Sequence, residues 1–228
     1  KIDCLAMTEP GAGSDLRSMV CRADADGDDF VINGTKHFIS HADIADFVIL
    51  FAATGEETTS RGVRKRISAF LVDKGTEGFT VRPGYRSVSH RGYHNSILDF
   101  ENCRVPGSQM LGAKDQGFQV ANDWLGATRL QVAAMCLGRA HRALELATHW
   151  AAQRHQFGQP VGRFQGVGFK LADMKMRLEA AELLTLQAAW KTDQGTATDT
   201  DYAMAKLYTT EMLAFVADEA IQIHGGMG

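Results

Sequence analysis

The residues best suited to hold a ligand lie at positions 7–15, in the sequence Met-Thr-Glu-Pro-Gly-Ala-Gly-Ser-Asp. Gly11 and Gly13 can adopt positive φ without steric cost, so we expect consecutive amides to converge on an anion or a flat ligand. The hydroxyls of Thr8 and Ser14 add polar groups on either side. An ordinary tight loop has the same Pro and Gly content, so the rest of the chain must decide between the two interpretations.

Two phosphate-binding motifs are excluded at this turn. Glu9 and Asp15 place negative charge beside it, and the Gly-Lys-Ser/Thr sequence of a P-loop is absent. The third glycine of a dinucleotide-binding fingerprint would fall at Leu16, and no βαβ pattern follows. Neither a nucleoside triphosphate nor a Rossmann-type dinucleotide site is therefore predicted here.

The composition is that of an ordinary globular protein. The 228 residues suffice for one large domain or two modest ones. A net charge of -3 provides no basic field for nucleic acid or an anionic membrane, and no apolar run reaches transmembrane length. Cys4, Cys21, Cys103 and Cys136 form no Cys-x-x-Cys pair, which predicts neither a zinc site nor a disulfide framework and favours a reducing compartment.

Residues 1–112 are predicted to form a β domain. Runs rich in β-forming residues, separated by turn residues, indicate antiparallel strands over 29–40, 46–53, 67–73, 78–82 and 96–101. Asn33-Gly34 predicts a two-residue hairpin turn, because both residues tolerate positive φ. Residues 55–66, which include Arg61, Arg64, Lys65 and Arg66, are interpreted as an exposed hairpin loop rather than a binding site.

Residues 113–228 are predicted to form three helices. The first carries apolar residues at spacings of three and four, namely Leu130, Ala133, Leu137, Ala140, Leu144, Ala147 and Ala151. A second is predicted over about 165–193, with Leu171, Met174, Leu178 and Ala181 in line and Gly195 as its stop. A third, from about Asp199 to the Gly225-Gly226 pair, is expected to bury Ala203, Leu207, Ala214, Ala217 and Ile221.

The predicted fold class is therefore α+β. An antiparallel β-barrel-like or sandwich domain is followed by an incomplete antiparallel helical bundle. Three helices leave such a bundle without a fourth member, so another chain or a further segment is expected to cover it. This incompleteness favours an oligomer.

Five motifs follow one another along the chain. They are Thr-Glu-Pro-Gly-Ala-Gly-Ser-Asp at 8–15, Asn-Gly-x-Lys-x-Phe-Ile-Ser at 33–40, Arg-x-x-Phe-Gly at 154–158, Phe-Gln at 164–165 and Gln-Ile-His-Gly-Gly-x-Gly at 222–228. Together they resemble the acyl-CoA dehydrogenase family. The resemblance covers essentially the whole chain, as that family's middle β domain and the first helices of its C-terminal domain. Because the chain starts at a Lys and stops within the last motif, we expect it to be a piece of a longer enzyme.

The resemblance implies a noncovalently bound flavin adenine dinucleotide (FAD). The turn from residue 5 to residue 14 would give backbone amides and the Thr8 hydroxyl to the pyrimidine edge of the ring, with Ser14 facing the pyrophosphate. Phe38, in place of the more usual Trp, would pack on the ring, and Ser40, in place of Thr, would donate near N5. The β-domain residues so implied are Leu5, Met7, Thr8, Gly13, Ser14, Phe38, Ile39 and Ser40.

The helical half matches residues that family members extend across a subunit interface to a neighbour's adenosine and pyrophosphate. These residues are Arg154, Phe157, Gln165, Gln222, Gly225 and Gly226. A guanidinium pairs with phosphate, Phe stacks, and glycines at a helix end present amides. The resemblance thus implies a homodimer or homotetramer as a condition for cofactor binding.

The activity implied is the FAD-dependent α,β-dehydrogenation of an acyl-CoA to a trans-2-enoyl-CoA, with electrons passed to electron-transfer flavoprotein. A glutamate removes the α-proton in the family, usually from beyond the Gly-Gly-x-Gly motif and in a minority from the first long helix, where this chain has Thr128. We therefore expect the base beyond Gly228 and no turnover by these residues alone. Ser14, Leu125 and Arg129 are implied to contact substrate.

Several assignments stay open. Gly126 stands where several members have a CoA-contacting Asp, and Tyr93, His94 and Asn95 replace smaller residues, so the thioester carrier and acyl chain are undetermined. An acyl-CoA oxidase, a flavin monooxygenase of the same superfamily and a nonenzymatic CoA- or flavin-binding relative are alternatives. The location implied is cytoplasmic in a bacterium and the mitochondrial matrix in a eukaryote. His90 and His94, without an acidic companion nearby in sequence, are not expected to bind metal.

Overall fold

The computed structural model describes residues 1–60, 62–88 and 91–228. Within it the chain divides into two compact units, Lys1–Asn122 and Asp123–Gly228. Arg61, part of the predicted basic loop, and His90 lie outside the described residues.

The first unit is built on one curled mixed sheet. Its strands are β1 (Asp3–Ala6), β2 (Arg22–Asp26), β3 (Asp29–Ser40), β4 (Phe47–Thr59), β5 (Gly62–Asp73), β6 (Phe79–Tyr85), β7 (Asn95–Pro106) and β8 (Met110–Leu111). They are hydrogen-bonded in the order β6-β7-β3-β2-β4-β5-β8, and β1 pairs with β4. Neighbours are antiparallel, except that β1 and β2 run parallel to β4. The buried core of this unit includes Ile32, Leu50, Phe70 and Phe100.

The predicted hairpin at Asn33-Gly34 is wrong. β3 runs unbroken through both residues, and the irregularity there is a register shift against β7 between Ile32 and Gly34. Gly34 has φ +150, and a Cβ on it would lie 2.6 Å from the Cα and Cβ of Cys21, the residue immediately before β2. This glycine therefore permits a close approach between neighbouring strands. The turn that joins β2 to β3 lies before β3, at Gly27, which has φ +64.

The hairpin predicted over residues 55–66 is present, but most of it is strand rather than loop. β4 and β5 stay paired out to Thr59 and Gly62. Glu56 lies opposite Lys65, with which it forms an ion pair, and the next pair along the hairpin is again acidic facing basic. Opposite charges on facing residues support strand pairing, so the charge run that suggested a loop instead stabilises an extended hairpin.

Three long helices carry the second part of the chain. They are α1 (Gly117–Gln153), α2 (Gln165–Asp193) and α3 (Asp199–His224), and two short strands, β9 (His155–Gln156) and β10 (Gln159–Pro160), pair between α1 and α2. The predicted apolar faces of α1 and α2 are confirmed, since Ala133, Ala140, Met174 and Leu178 are buried. Among the described helices, none combines the length and apolar character needed to cross a membrane.

The buried face of α3 differs from the prediction. The helix buries Asp201, Ala205, Thr209, Met212, Val216, Ala220 and Ile223. The residues expected inside lie on other faces, and Leu207 and Ile221 are exposed. α3 has apolar residues on more than one face, so periodicity alone could not identify the side that packs within the unit. At its start, a capping box with Thr198 and an ion pair with Lys191 anchor Asp201 on the buried side.

The stop signals of the last two helices are confirmed. Gly195 directly follows the capping residue of α2 and has φ +67, while Gly225 caps α3 with φ +63. Positive φ is available to glycine at little cost, which lets the chain leave the helix. The α+β fold class, a curled β unit followed by a partial helical bundle, is thus confirmed.

Candidate functional site

The glycine-rich turn has a different geometry from the one expected. Neither Gly11 nor Gly13 lies at positive φ, so that prediction is wrong. The turn closes through two backbone bonds, from the Glu9 amide to the Ala12 carbonyl (2.9 Å) and from the Ala12 amide to the Glu9 carbonyl (3.2 Å). A Cβ at either glycine would meet no atom within 4 Å. The outer face of the turn therefore has room for a ligand.

A buried ion pair lies under the turn. The Lys36 Nζ is 2.7 Å from the Glu9 Oε1, with the two side chains 0% and 1% exposed. The same Nζ donates to the Met7 carbonyl at 3.0 Å. The Glu9 carboxylate also accepts the backbone amides of Val20 (2.6 Å) and Cys21 (3.1 Å). The charge that the sequence placed beside the turn is therefore neutralised inside the protein.

Two candidate segments meet through this arrangement. Met7, Thr8 and Glu9 belong to the turn, whereas Lys36 and His37 immediately precede the Phe-Ile-Ser triplet on β3. The His37 amide donates to the Thr8 carbonyl at 2.9 Å, beside the Lys36 contacts. The structure thus brings the sequence-predicted segments 5–14 and 38–40 together. Leu5, on β1, is half-buried, as are Met7 and Thr8, while Gly13 and Ser14 are exposed.

Phe38 presents an aromatic face at the end of β3. It has φ +56, lies in the register shift between Lys36 and Ile39, and is 50% exposed. Its ring stacks on Tyr85, with centroids 4.3 Å apart and an angle of 25° between the planes. The Tyr85 hydroxyl lies 3.2 Å from the His37 Nδ1. A positive φ at a bulky residue is uncommon and marks a position that the surrounding contacts must maintain.

The other two members of the triplet have distinct environments. Ile39 is buried in the core of the β unit. The half-buried Ser40 hydroxyl lies 3.0 Å from the Tyr93 hydroxyl and 3.3 Å from the Asn95 Oδ1, and it can donate to one of them at a time. Its lone pairs stay free to accept, or its proton can be redirected to a ligand.

A surface cavity of about 520 Å³ lies beside Tyr85, the residue that stacks on Phe38. Its lining also includes Arg82, Asp43 and His94. Arg82 forms an ion pair with Asp99 and lowers the pKa of that carboxyl. The His94 Nδ1 lies 2.9 Å from the Asp43 Oδ2, and this hydrogen bond lowers the pKa of Asp43. His94 thus has an acidic companion in the fold, which the sequence could not indicate because Asp43 lies 51 positions away.

The described residues hold no group of three or more His, Cys, Asp and Glu side chains arranged to bind a metal ion. All four cysteines are buried and unpaired. Burial raises the pKa of Cys4 to about 12 and that of Cys21 to about 11, which leaves these thiols protonated at neutral pH.

The candidate residues of the helical unit gather at one end. There the end of α1 meets the start of α2, since the Val161 amide donates to the Arg154 carbonyl at 2.7 Å. Trp150 near the end of α1 stacks on His224 at the end of α3, with ring centroids 5.4 Å apart. All six predicted residues at this end are exposed, Phe157 by 92%: Arg154, Phe157, Gln165, Gln222, Gly225 and Gly226.

Two of the residues predicted to contact substrate lie on α1, near the start of the helical unit. Leu125 and Arg129 are half-buried. Thr128 donates from its Oγ1 to the Trp124 carbonyl (3.0 Å), so its hydroxyl is used within the helix. A Cβ at Gly126 would lie 3.1 Å from the Tyr202 ring, which leaves little space for the aspartate that several family members have there.

Lys36 and Tyr85 are the residues that sequence reasoning missed. Lys36 belongs to the motif at 33–40. It lies an even number of residues from the buried Phe30 and Ile32, a spacing that predicts an inward-facing side chain. A charge at an inward position needs a partner, and this signal could have pointed to Glu9. Nothing in the sequence indicates the Tyr85 contact, because it joins residues 47 positions apart.

The comparisons with known proteins agree with this fold. Residues 4–103 match the family described as "Acyl-CoA dehydrogenase, middle domain", and residues 115–228 match "Acyl-CoA dehydrogenase, C-terminal domain". Together the two matches take in most of the chain. The protein therefore belongs to the acyl-CoA dehydrogenase family, a family of oxidoreductases.

Particular relatives are similar over the whole chain. The human short-chain specific acyl-CoA dehydrogenase, mitochondrial, is 40% identical over 100% of this chain and 54% of its own length. The structure of butyryl-CoA dehydrogenase from Megasphaera elsdenii has a TM-score of 0.92 at 38% identity, covering 99% of this chain and 58% of that one. A structure described as "FAD complex of PigA" has a TM-score of 0.91 at 35% identity, covering 98% and 57%. The chain thus spans just over half the length of these relatives.

Proposed function

We propose that the protein catalyses the FAD-dependent α,β-dehydrogenation of an acyl-CoA thioester to a trans-2-enoyl-CoA and passes the electrons to electron-transfer flavoprotein. The observation that carries the proposal is the joining of segments 5–14 and 38–40, in a chain whose two halves match the two family domains. Because the chain spans just over half of its relatives, the activity is proposed for the whole protein.

The residues present fit a flavin. The open space outside Gly11 and Gly13 admits a flat ring at the turn, and Phe38 offers a half-exposed aromatic face at the end of β3. Aromatic side chains favour stacking on another ring. The similarity to a protein whose structure contains FAD supports the same cofactor. When bound, the flavin supplies the hydride acceptor.

The residues of the β unit would bind and orient the cofactor. The amides of the turn and the Thr8 hydroxyl are placed to donate to the polar edge of the ring, and donors at that edge stabilise negative charge. Ser40 would direct its hydroxyl to the cofactor, with Asn95 and Tyr93 as the partners that orient it. The buried Ile39 would act by fixing the backbone between its two neighbours.

The exposed end of the helical unit supports a cofactor site shared between subunits. Four exposed side chains lie together there: the guanidinium of Arg154, the ring of Phe157 and the side-chain amides of Gln165 and Gln222. Arg and Phe suit phosphate and adenine, respectively. We propose that this end binds the adenosine and pyrophosphate of the FAD held by a second copy, so the enzyme works as a homodimer or homotetramer.

The catalytic base is proposed to come from outside these 228 residues. A base must reach the substrate α-proton and carry a carboxylate or a similar group. Thr128 carries only a hydroxyl, which donates a hydrogen bond to the Trp124 carbonyl. Ser14, Leu125 and Arg129 would contribute to binding the thioester. The named relatives at 40% and 38% identity support a short acyl chain as the first substrate to test.

The central experiment is anaerobic addition of butyryl-CoA to the purified whole protein, followed through the flavin absorption band. We expect a yellow protein whose band bleaches with substrate, and reduction of electron-transfer flavoprotein on mixing. A colourless protein that takes up no added FAD would refute the proposal. Peroxide formation in air without reduction of the flavoprotein would identify an oxidase instead. Bleaching by the 228-residue chain alone would show that the base lies within it.

A matched pair of variants tests the shared cofactor site. Arg154→Ala should weaken FAD binding, because it removes a cation at the exposed end of the helical unit. Arg142→Ala, on the same helix and paired with Glu145 at the surface, should leave FAD binding unchanged. Equal FAD affinity in the two variants would contradict the role proposed for Arg154.

A further inference from the structure

The Lys36–Glu9 ion pair is unusual among the contacts of this chain. In the part of the chain that the structure describes, it is the one ion pair with both side chains fully buried. Burying two charges costs much of what their attraction returns, and apolar residues of similar size often stabilise a fold equally well. Stability alone therefore does not account for this pair.

The pair has a directional effect that apolar packing lacks. Lys36 Nζ binds both the Met7 carbonyl (3.0 Å) and Glu9 (2.7 Å), so it fixes one strand residue to two points of the turn. The other contacts of Glu9, to the Val20 and Cys21 amides, attach the turn to the segment immediately before β2. The turn is thus held from two sides through one carboxylate.

The same pair lies at the point where β3 departs from regular pairing. The register shift against β7 begins after Lys36 and ends at Ile39, and Phe38 within it adopts φ +56. Lys36 is therefore a buried residue immediately before the shift, and Phe38, within the shift, is half-exposed.

We infer that Lys36 and Glu9 are positioning residues, which fix the turn at 5–14 and the Phe38 platform in the mutual geometry that FAD binding requires. This inference rests on the proposed function. It assigns the pair a role in cofactor affinity, separate from its share of folding stability. Small displacements of residues that orient a ligand lower affinity and activity strongly, although the displaced groups remain present.

The test compares FAD affinity with stability in the whole protein. Lys36→Met should raise the FAD Kd about 10-fold or more, measured by quenching of flavin fluorescence at a temperature where the variant is folded. The double variant Lys36→Met/Glu9→Gln removes both charges and should recover much of the Tm lost by the single variant. It should still bind FAD weakly and show an altered flavin absorption band, because the directional contacts are missing.

The matched control is Val105→Ala in the core of the same unit, which lies opposite Phe30 at the start of β3, eight residues before Phe38. It should lower Tm by creating a small cavity and leave the FAD Kd within about 2-fold. A double variant that binds FAD like the unmodified protein would overturn the inference and leave the proposed function intact. An unmodified protein that takes up no FAD would refute the proposed function, and this inference with it.

Discussion

Replacing Gly34 tests whether β3 passes Cys21, the residue immediately before β2, as closely as the structure shows. In Gly34→Ala the new Cβ would lie 2.6 Å from two atoms of Cys21, one of them backbone, so the strands must separate. Overpacking of this kind costs about 1–3 kcal/mol. The φ of +150 adds strain of roughly 1–3 kcal/mol for a residue with a side chain. The sum, about 2–6 kcal/mol, is a large part of the 5–15 kcal/mol that typically stabilises a folded protein.

The assay is urea or thermal unfolding followed by circular dichroism. At about 3 °C per kcal/mol for a chain of this size, Tm should fall by roughly 6–18 °C. Gly27→Ala is the matched control: Gly27 lies in the real β2–β3 turn at φ +64, with no atom within 4 Å of a Cβ. It should cost only the backbone strain, about 1–2 kcal/mol. Equal losses in the two variants would refute the close approach and favour a turn at Asn33-Gly34.

Two further predictions concern the helical unit. The hydrogen bond from Lys191 is the main cause that lowers the pKa of Asp201 from 3.8 to about 2. The stability contributed by the ionised Asp201 carboxylate is therefore present above pH 3.8 and is lost as the pH falls towards 2. Acid unfolding of Asp201→Asn, followed by circular dichroism, should lack this step, and a profile unchanged from the parent would contradict it. On α1, Gly138→Ala should raise stability by about 0.5–1 kcal/mol, because its Cβ meets no atom within 4 Å. Gly126→Ala should not show this gain in stability, because its new Cβ would lie 3.1 Å from the Tyr202 ring. An equal rise in Tm for both variants would show that the ring moves aside freely.

The helices and the motif residues could be predicted from the sequence. The bounds of α2 and the buried faces of α1 and α2 follow from a 3.6-residue period, and glycines mark the ends of α2 and α3. These signals are local, because each depends on residues within a few turns of one another. The family was likewise recognisable from short motifs in order, and it is confirmed by the matches to both domains.

Other features depend on residues that are distant in sequence. Gly34 is required by the close approach of Cys21, and the buried face of α3 is the one that packs against residues of α1 and α2. Neither partner is visible in the local pattern around the residue concerned. An Asn-Gly pair or an apolar stripe is compatible with several structures, and the energy of close packing decides among them.

The sequence by itself determined the family, the division into a β half and a helical half, and the residue types available at the candidate site. Only the tertiary structure decided how the turn and β3 are joined, through the Lys36 ammonium held between the carbonyl of Met7, 29 residues away, and the Glu9 carboxylate. The physical reason is that a buried charge is tolerated only where its partners already surround it. That condition is met by the folded chain and cannot be read from the residues one by one.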